Sequence, residues 1–293
     1  MSTAAFPTES DERGAFVRQQ SRFRERLGTD VFPYEAGRYH LYVSLACPWA
    51  HRAVIVRRLK RLEEAVGVTV VDPIRDERGW RFGPEFPDPL HGWSHLSEAY
   101  PEDFQGRVTV PTLWDTATGR IVNNESADII EDLNAWPGAD GPDLWPEAVR
   151  EEGDALNRRI YDTVNNGVYK SGFATTQEAY EAAVVPLFQT LEELDARLAG
   201  RRYLLGDAPT LADWRLFTTL VRFDAVYVGH FKCNIKRIVD LPHLSRYLGD
   251  LLAVPGVRET VDLDHIKRHY YVTHRSINPT GIVPVGPALD WAW

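Results

Sequence analysis

The first half of the chain alternates short apolar runs with turns and one helical stretch. Tyr39–Leu45 and Val68–Ile74 are runs of strand length, and the second is apolar on both faces, as a central parallel strand is. Between them lies a stretch rich in helix formers, from Ala50 to about Glu64. Val108–Asp115 then resumes strand character, and Gly119–Val122 follows closely enough to pair with it. This half therefore predicts a β-α-β unit followed by a β-hairpin.

A second helix is predicted to begin just after the hairpin. Glu125 or Ser126 occupies its capping region, where a side-chain oxygen can accept hydrogen bonds from exposed backbone N–H groups. The resulting order, β-α-β and then β-β-α, describes a thioredoxin-like fold with one mixed sheet. The turn-rich stretch Trp136–Pro142 is predicted to be the linker to the rest of the chain.

After about residue 146, apolar residues recur at helical spacing. Glu178–Arg197 shows this spacing along its length, and Leu244–Leu252 and Val257–His269 are further predicted helices. Thr210, with Asp213 three residues later, forms a capping-box pattern at the start of another helix. The predicted fold class is therefore α/β plus all-α, a thioredoxin-like domain followed by a helical one.

The expected layout has three parts. An irregular arm covers residues 1–36, the thioredoxin-like domain covers 37–140, and the helical domain with a C-terminal extension covers 146–293. Residues 75–104 form a long loop rich in glycine, proline and aromatic residues, and loops of that length are usually functional. The Pro- and Gly-rich tail from Tyr271, which ends in Trp291-Ala292-Trp293, is expected to pack as a loop.

Composition and charge argue against several kinds of partner. The chain has 293 residues, of which 44% are apolar and 26% charged, as in globular proteins with a sizeable core. Its net charge of −9 argues against a general nucleic-acid-binding surface. No stretch approaches the roughly 18 uninterrupted apolar residues of a membrane span, and Met1–Gln20 lacks a signal-peptide core. We expect a cytoplasmic protein without a nucleic-acid or membrane partner.

The cysteines and histidines give no sign of a disulfide framework or a metal site. Cys47 and Cys233 are the only two cysteines in the chain. His265 and His269 stand four apart, as metal ligands on a helix can, but the acidic partner of the metalloprotease motif is missing. We therefore expect no metal, and we expect Cys233 to be a buried structural cysteine.

Cys47 stands where a strand is predicted to turn into a helix, in Cys47-Pro48-Trp49-Ala50-His51-Arg52. Proline suits the first turn of a helix, because its missing N–H is no loss there. Cys47 then lies at a helix N-terminus, where unpaired backbone N–H groups and the macrodipole favour an anion. At such a position the pKa of a thiol can fall from about 8.5 into the range of about 3.5–7.5. Cys47 is therefore the predicted nucleophile.

Two further segments suit one peptide-like ligand. Val110-Pro111 stands where thioredoxin-like folds place a cis proline, which would present the backbone of Val110 to the ligand; a trans proline at a strand start is the alternative. Glu125 can accept from an ammonium, while Ser126 and nearby backbone N–H groups can hold a carboxylate; an ordinary N-cap is the alternative. The γ-glutamyl end of glutathione carries both charges on one carbon and fits this arrangement.

These segments together resemble the Xi-class glutathione transferases, the glutathionyl-hydroquinone reductases, over nearly the whole chain. The similarity includes the arm Gly14–Arg24 and the stretch Leu211–Asp213. Its most discriminating parts are Asn165–Phe173, which contains Tyr169, and the ending Ile277–Ile282. The resemblance implies a thiol-binding thioredoxin-like domain, an all-helical glutathione-transferase domain that takes the second substrate, and a homodimer.

The resemblance also implies roles for individual residues. Cys47 would be the nucleophile, and Tyr169 and Tyr270 would face an aromatic substrate, with Tyr271 as the alternative to Tyr270. The residues that would contact glutathione are Trp80, Arg107, Val110, Glu125 and Ser126.

The implied reaction cleaves the thioether of a glutathionyl-hydroquinone through a Cys47–glutathione mixed disulfide. It releases the hydroquinone and glutathione disulfide. Ala50 stands where dithiol reductases carry a resolving cysteine, so an external thiol must complete the cycle. An omega-like thioltransferase or dehydroascorbate reductase and a non-catalytic binding protein are the alternatives. Five lysines against 28 arginines indicate a GC-rich coding sequence, so mycothiol in place of glutathione stays open.

Overall fold

The structure, a computed structural model, describes residues 10–289. The predicted packing of Trp291-Ala292-Trp293 lies outside the described residues. Two compact units divide the chain: one contains residues 19–143 and 260–269, and the other contains residues 10–18, 144–259 and 270–289. The domain limits expected from the sequence stay predictions.

A four-stranded mixed sheet forms the centre of the first unit. Its strands are β1 (Tyr39–Val43), β2 (Val66–Val70), β3 (Thr112–Asp115) and β4 (Arg120–Asn123). They lie in the order β2-β1-β3-β4, with β1 parallel to β2 and antiparallel to β3, and β3 antiparallel to β4. Every residue of β1 is buried, as expected for a central strand.

The first unit also contains two helices, one between β1 and β2 and one after β4, which pack against each other. Helix α1 covers Pro48–Leu59 and helix α2 covers Ser126–Asn134. The order β-α-β and then β-β-α confirms the predicted thioredoxin-like topology. The strand predicted over Val108–Asp115 is shorter than expected, because it begins only after Pro111, which has no N–H for a sheet hydrogen bond.

Charged pairs hold the end of the arm on α2. Arg24 makes a bidentate ion pair with Asp128, with nitrogen–oxygen distances of 2.5 and 2.8 Å. The Arg26 guanidinium lies 2.7 Å from Asp132, whose second oxygen accepts from the backbone N–H of Leu27. Because both carboxylates are buried, these pairs fix the path of the arm beside the start of α2.

The second unit is helical, which confirms the predicted fold class. Its helices are α3 (Glu147–Ile160), α4 (Gly167–Gly172), α5 (Gln177–Leu198), α6 (Leu211–Arg222), α7 (Val228–His230), α8 (Pro242–Leu252) and the end of α9 (Leu263–Thr273). Wider π-helical turns, Tyr161–Asn165 and Phe223–Tyr227, follow α3 and α6. Helix α9 starts later than the predicted Val257 and runs past His269 into the segment expected to be a loop.

The capping box predicted at α6 is present and deeply buried. Asp213 accepts hydrogen bonds from the backbone N–H and the hydroxyl of Thr210, at 2.7 and 2.8 Å. It also accepts from the Leu204 N–H and the Tyr247 hydroxyl, both at 2.9 Å. Burial raises the pKa of Asp213 above its usual range, and these four donors oppose that rise. The carboxyl therefore ties α6 to α8 and to the loop before α6.

Candidate active site

Cys47 is the N-cap of α1, directly after the turn that follows β1. Its backbone is extended, with φ −77° and ψ 118°, and Pro48 is the first helical residue, as predicted. The Ala50 N–H donates to Cys47 Sγ at 3.5 Å, and the thiol donates to the Val110 carbonyl at 3.3 Å. The side chain is half-buried. The sulfur therefore lies at the positive end of a helix dipole, where an anion is favoured.

The Val110–Pro111 peptide bond is cis, as predicted. Val110 is buried, and its carbonyl oxygen is the acceptor for the Cys47 thiol. The backbone of Val110 is thus in direct contact with the predicted nucleophile.

Glu125 is the N-cap of α2, and Ser126 is the first residue of that helix. Glu125 Oε1 accepts from the Ala127 N–H at 3.1 Å, and Oε2 accepts from the Ser21 hydroxyl at 3.1 Å. The buried Arg52 donates to Ser126 Oγ at 3.5 Å. Because a guanidinium can only donate, the Ser126 hydroxyl accepts from it and keeps its own hydrogen for another acceptor. A carboxylate and a hydroxyl donor thus stand next to each other at a helix start.

Trp80 is buried in contact with a cation and an imidazole. Its ring stacks on His269 with centroids 4.9 Å apart, and the Arg75 guanidinium lies 4.9 Å from its centroid. His269 Nδ1 donates to the Pro73 carbonyl at 2.7 Å, so that nitrogen carries a hydrogen. Burial lowers the pKa of His269 to about 3, which leaves the imidazole neutral. These contacts fix the plane of the indole.

Arg107 is one of the residues that line a small cleft of the first unit. The cleft is lined by the following residues: Gln19, Gln20, Ser21, Arg22, Phe104, Gly106, Arg107, Thr109 and Asn124. Asn124 donates from Nδ2 to the Thr109 hydroxyl at 3.1 Å, which joins the segment before Val110 to the segment before Glu125. Arg107 is half-buried, and of the two arginines that line the cleft it is the nearer in sequence to the cis proline.

Three tyrosines form a chain of hydroxyls in the second unit. The Tyr169 and Tyr270 oxygens are 2.7 Å apart, and the Tyr270 and Tyr227 oxygens are 3.0 Å apart. Tyr227 and Tyr270 are buried, while Tyr169 is half-buried. Burial raises the pKa of Tyr227 and of Tyr270 well above the ordinary value, so both phenols keep their protons. Tyr227 and Tyr270 are therefore neutral phenols that can donate hydrogen bonds.

Tyr270, and not its neighbour Tyr271, belongs to this cluster. The Tyr271 hydroxyl donates to the Ala225 carbonyl at 3.3 Å. Tyr227 is the member that sequence reasoning missed. It ends the π-helical turn Phe223–Tyr227, and π-helical turns are frequent at functional sites. Two aromatic residues four apart in a helical region indicate core packing, so no local signal distinguished Tyr227.

The predicted site residues therefore fall into two groups. Cys47, Trp80, Arg107, Val110, Glu125 and Ser126 lie in the first unit, and Tyr169 and Tyr270 lie in the second. Within the first group Cys47 meets Val110, and within the second the two tyrosines meet directly. Their roles toward a substrate stay predictions.

Cys233, His265 and His269 are all buried. Cys233 is fully buried, as predicted, and burial raises the pKa of its thiol to about 12. His265 Nε2 lies 3.3 Å from the Ser44 hydroxyl, while His269 bonds to Pro73. Among residues 10–289, no cluster of three or more histidine, cysteine or acidic side chains could hold a metal ion. Within the same range, every helix is too short or too polar to cross a bilayer.

Comparisons with known proteins place both halves of the chain. Residues 46–136 match the family profile "Glutathione S-transferase, N-terminal domain", and residues 177–250 match "Glutathione S-transferase, C-terminal domain". Glutathionyl-hydroquinone reductase PcpF from Sphingobium chlorophenolicum is 52% identical over 94% of this chain and 90% of its own length.

Solved structures agree in fold along almost the whole chain. The glutathione-S-transferase Xi from Phanerochaete chrysosporium is 49% identical, with a TM-score of 0.92 over 95% of this chain and 94% of that one. The glutathione-bound structure of YqjG from Escherichia coli, itself named a glutathionyl-hydroquinone reductase, is 49% identical. Its TM-score is 0.89 over 93% of this chain and 94% of that one.

Proposed function

The chain belongs to the Xi class of glutathione transferases, the glutathionyl-hydroquinone reductases, and we propose that it cleaves the thioether of glutathionyl-hydroquinones with Cys47 as nucleophile. Glutathione is its thiol co-substrate. The position of Cys47 at the start of α1 is the observation that carries this proposal, since the amide dipoles there favour the thiolate.

The first half-reaction transfers glutathione to the enzyme. The Cys47 thiolate attacks the sulfur that joins glutathione to the ring, forming an S–S bond as the carbon–sulfur bond breaks. When the ring is in its keto tautomer, the proton is already on that carbon, and the released electron pair restores the aromatic ring and leaves negative charge on the ring oxygen. Protonation of that oxygen gives the hydroquinone. The ring is reduced by two electrons, and the two sulfurs are oxidised to the mixed disulfide.

The tyrosine pair would act on the ring oxygens. We assign Tyr169 and Tyr270 to hydrogen bonds that stabilise the keto form and the oxygen anion that follows. Neutral phenols suit this role, because positioned donors of this kind accelerate reactions by about 10²–10⁴-fold. Both phenols are joined at 2.7 Å and Tyr270 is held protonated by burial.

The second half-reaction needs an external thiol. Ala50 stands one helical turn after Cys47, and Cys233 is buried with its pKa raised to about 12. A second glutathione thiolate would therefore attack the mixed disulfide, which releases glutathione disulfide and restores the Cys47 thiolate. The sum of both steps converts one conjugate and one glutathione into hydroquinone and glutathione disulfide.

Each part of the thiol is assigned to residues of the first unit. We propose that Glu125 accepts from the ammonium of the γ-glutamyl group, and that Ser126 donates to its carboxylate. The Val110 backbone would pair with the cysteinyl backbone, while Trp80 and Arg107 would line the remaining sides. Support comes from the free donor hydrogen that the Arg52 contact leaves on Ser126. Mycothiol lacks this γ-glutamyl group, so we propose glutathione as the preferred thiol.

A single-turnover experiment tests the reaction. Reduced enzyme is mixed with a glutathionyl-hydroquinone in the absence of free thiol, and hydroquinone release and the mass of the protein are followed together. One equivalent of hydroquinone should appear with one glutathione on Cys47. Glutathionylation by small mixed disulfides without thioether cleavage would favour the omega-like thioltransferase and contradict this proposal. Steady-state rates with glutathione and with mycothiol then show which thiol the enzyme prefers. A faster rate with mycothiol would contradict the choice of glutathione.

We further propose that the protein is a cytoplasmic homodimer, on its class membership alone. The chain has a mass of 33.3 kDa, and sedimentation equilibrium should give twice that mass. The mass of a single chain would contradict the dimer.

A further inference from the structure

Part of the N-terminal arm is bound to the residues between α4, which carries Tyr169, and α5. The Thr175 N–H donates to the Gly14 carbonyl at 3.0 Å, and the Thr176 hydroxyl donates to the Arg13 carbonyl at 2.9 Å. Gly14 has φ +79°, and a Cβ there would lie 2.5 Å from the Thr175 hydroxyl, so only glycine fits. These two hydrogen bonds and the glycine at position 14 therefore fix the path of the arm at this point.

The same stretch places Phe16 on the aromatic side chains of α4 and the residue after it. Phe16 is buried, and its ring centroid lies 5.5 Å from that of Phe173 and 6.5 Å from that of Tyr169. The stacking brings the next polar side chain of the arm, Arg18, to the edge of the same cluster.

Arg18 lies over the ring of Tyr169. Its guanidinium carbon is 4.8 Å from the ring centroid, within the range of a cation–π contact. Arg18 Nε donates to Asn166 Oδ1 at 2.6 Å, and Asn166 is the residue just before α4. Because α4 also carries Tyr169, one short helix fixes both the cation and the phenol that it covers.

A cation over a phenol ring changes what the hydroxyl can do. The positive charge attracts electron density from the ring, which makes the O–H a stronger hydrogen-bond donor and stabilises charge that develops around it. The planar guanidinium can stack on the ring while its edge donates to Asn166, which a lysine ammonium cannot do equally well.

We propose that Arg18 is a positioning residue that strengthens Tyr169 as the hydrogen-bond donor to the hydroquinone ring. The proposal rests on the reaction proposed above. It predicts an effect confined to thioether cleavage, since attack of glutathione on the Cys47 mixed disulfide needs no donor to a ring oxygen.

The test compares both half-reactions in Arg18→Gln, Arg18→Lys and the control Arg13→Gln. Arg13 is exposed, and Arg13→Gln removes the same charge from the same part of the arm. In single turnover, hydroquinone release should slow by about 2- to 30-fold in Arg18→Gln and by less in Arg18→Lys. Reduction of the Cys47–glutathione disulfide, prepared with glutathione disulfide, should keep the wild-type rate in all three variants.

A double-mutant cycle links the effect to Tyr169. Arg18→Gln should slow hydroquinone release by a smaller factor in the Tyr169→Phe background than in the wild type, because the donor is already absent. Full additivity, equal slowing of both half-reactions, or a wild-type rate in Arg18→Gln would each overturn the proposal. If the wild-type enzyme releases no hydroquinone, the proposed function itself fails and this role of Arg18 falls with it.

Discussion

The thiol region of the first unit and the tyrosine cluster of the second treat charge in opposite ways. At Cys47 the start of α1 favours an anion, and the side chain is only half-buried. Around Tyr227 and Tyr270, burial among aromatic rings penalises the phenolate and raises the pKa of each hydroxyl. A nucleophile must be ionised and a donor must keep its proton, so each environment suits the part of the reaction assigned to it.

The two regions also differ in what builds them. Helix starts and a cis proline present backbone groups and short side chains in the thiol region. The tyrosine cluster is made of long side chains from three separate helical segments, which meet through their hydroxyls and through ring contacts. A substitution in the thiol region should therefore change the binding or reaction of glutathione. A substitution in the tyrosine cluster should change only the step in which the hydroquinone ring is released.

The largest effect is expected from Cys47→Ser, which removes the nucleophile. Turnover of a glutathionyl-hydroquinone should fall by about 10³-fold or more, because a serine hydroxyl is not ionised at neutral pH. Cys233→Ala is the matched control. It should keep the wild-type rate, because the Cys233 thiol is buried and its pKa is raised to about 12. A Cys47→Ser enzyme with full activity would show that Cys47 is not the nucleophile.

Tyr270→Phe tests the second region. Loss of the hydroxyl that joins Tyr169 to Tyr227 should lower kcat for thioether cleavage by about 10- to 100-fold. The reduction of a preformed Cys47–glutathione disulfide should be unchanged. Tyr271→Phe, the neighbouring control, loses only a bond to the Ala225 carbonyl and should keep most of the activity. The reverse order of the two variants would assign the role to Tyr271.

Acid should destabilise the first unit through His269. Its pKa is about 3 in the folded protein and about 6.5 when exposed. The folded state therefore binds fewer protons between these values, and the stability present above pH 6.5 is lost as the pH falls. At pH 5 the loss amounts to about 2 kcal/mol for this one group.

The measurement is the free energy of unfolding as a function of pH in wild type and His269→Asn. Asparagine can still donate to the Pro73 carbonyl, so its acid dependence should be smaller than that of the wild type. His230, with its pKa lowered to about 4 by burial, supplies the same test for the second unit as His230→Asn. Identical pH slopes in wild type and His269→Asn would contradict a neutral imidazole under Trp80.

The smallest effect is expected from Glu125→Gln. The variant keeps an oxygen to cap α2 but loses the charge for the ammonium of glutathione. KM for glutathione should rise by about tenfold with little change in kcat, as for the loss of one charge-assisted hydrogen bond. Glu131→Gln, on the same helix, is the control for loss of charge. A fall in kcat without a change in KM would show that Glu125 does not hold the thiol.

Local patterns in the sequence predicted most of the thiol region. The Cys-Pro turn, the Val-Pro bond and the Glu-Ser helix start each depend on neighbours within a few residues, and all three have the predicted local geometry. The capping box of Thr210 and Asp213 is a further example. The strand at Val108 was predicted too long, because a periodicity of two does not show where proline ends the sheet.

What the sequence by itself determined is a set of local structures: the four strands, and the starts of the helices that follow Cys47, Glu125 and Thr210. Only the tertiary structure decided that Tyr227 and Tyr169, 43 and 101 residues from Tyr270, share hydrogen bonds with it, and that Arg18 lies over Tyr169. The physical reason is the distance along the chain between the residues that interact. Caps and turns depend on adjacent residues, whereas a meeting of distant side chains depends on how whole helices pack.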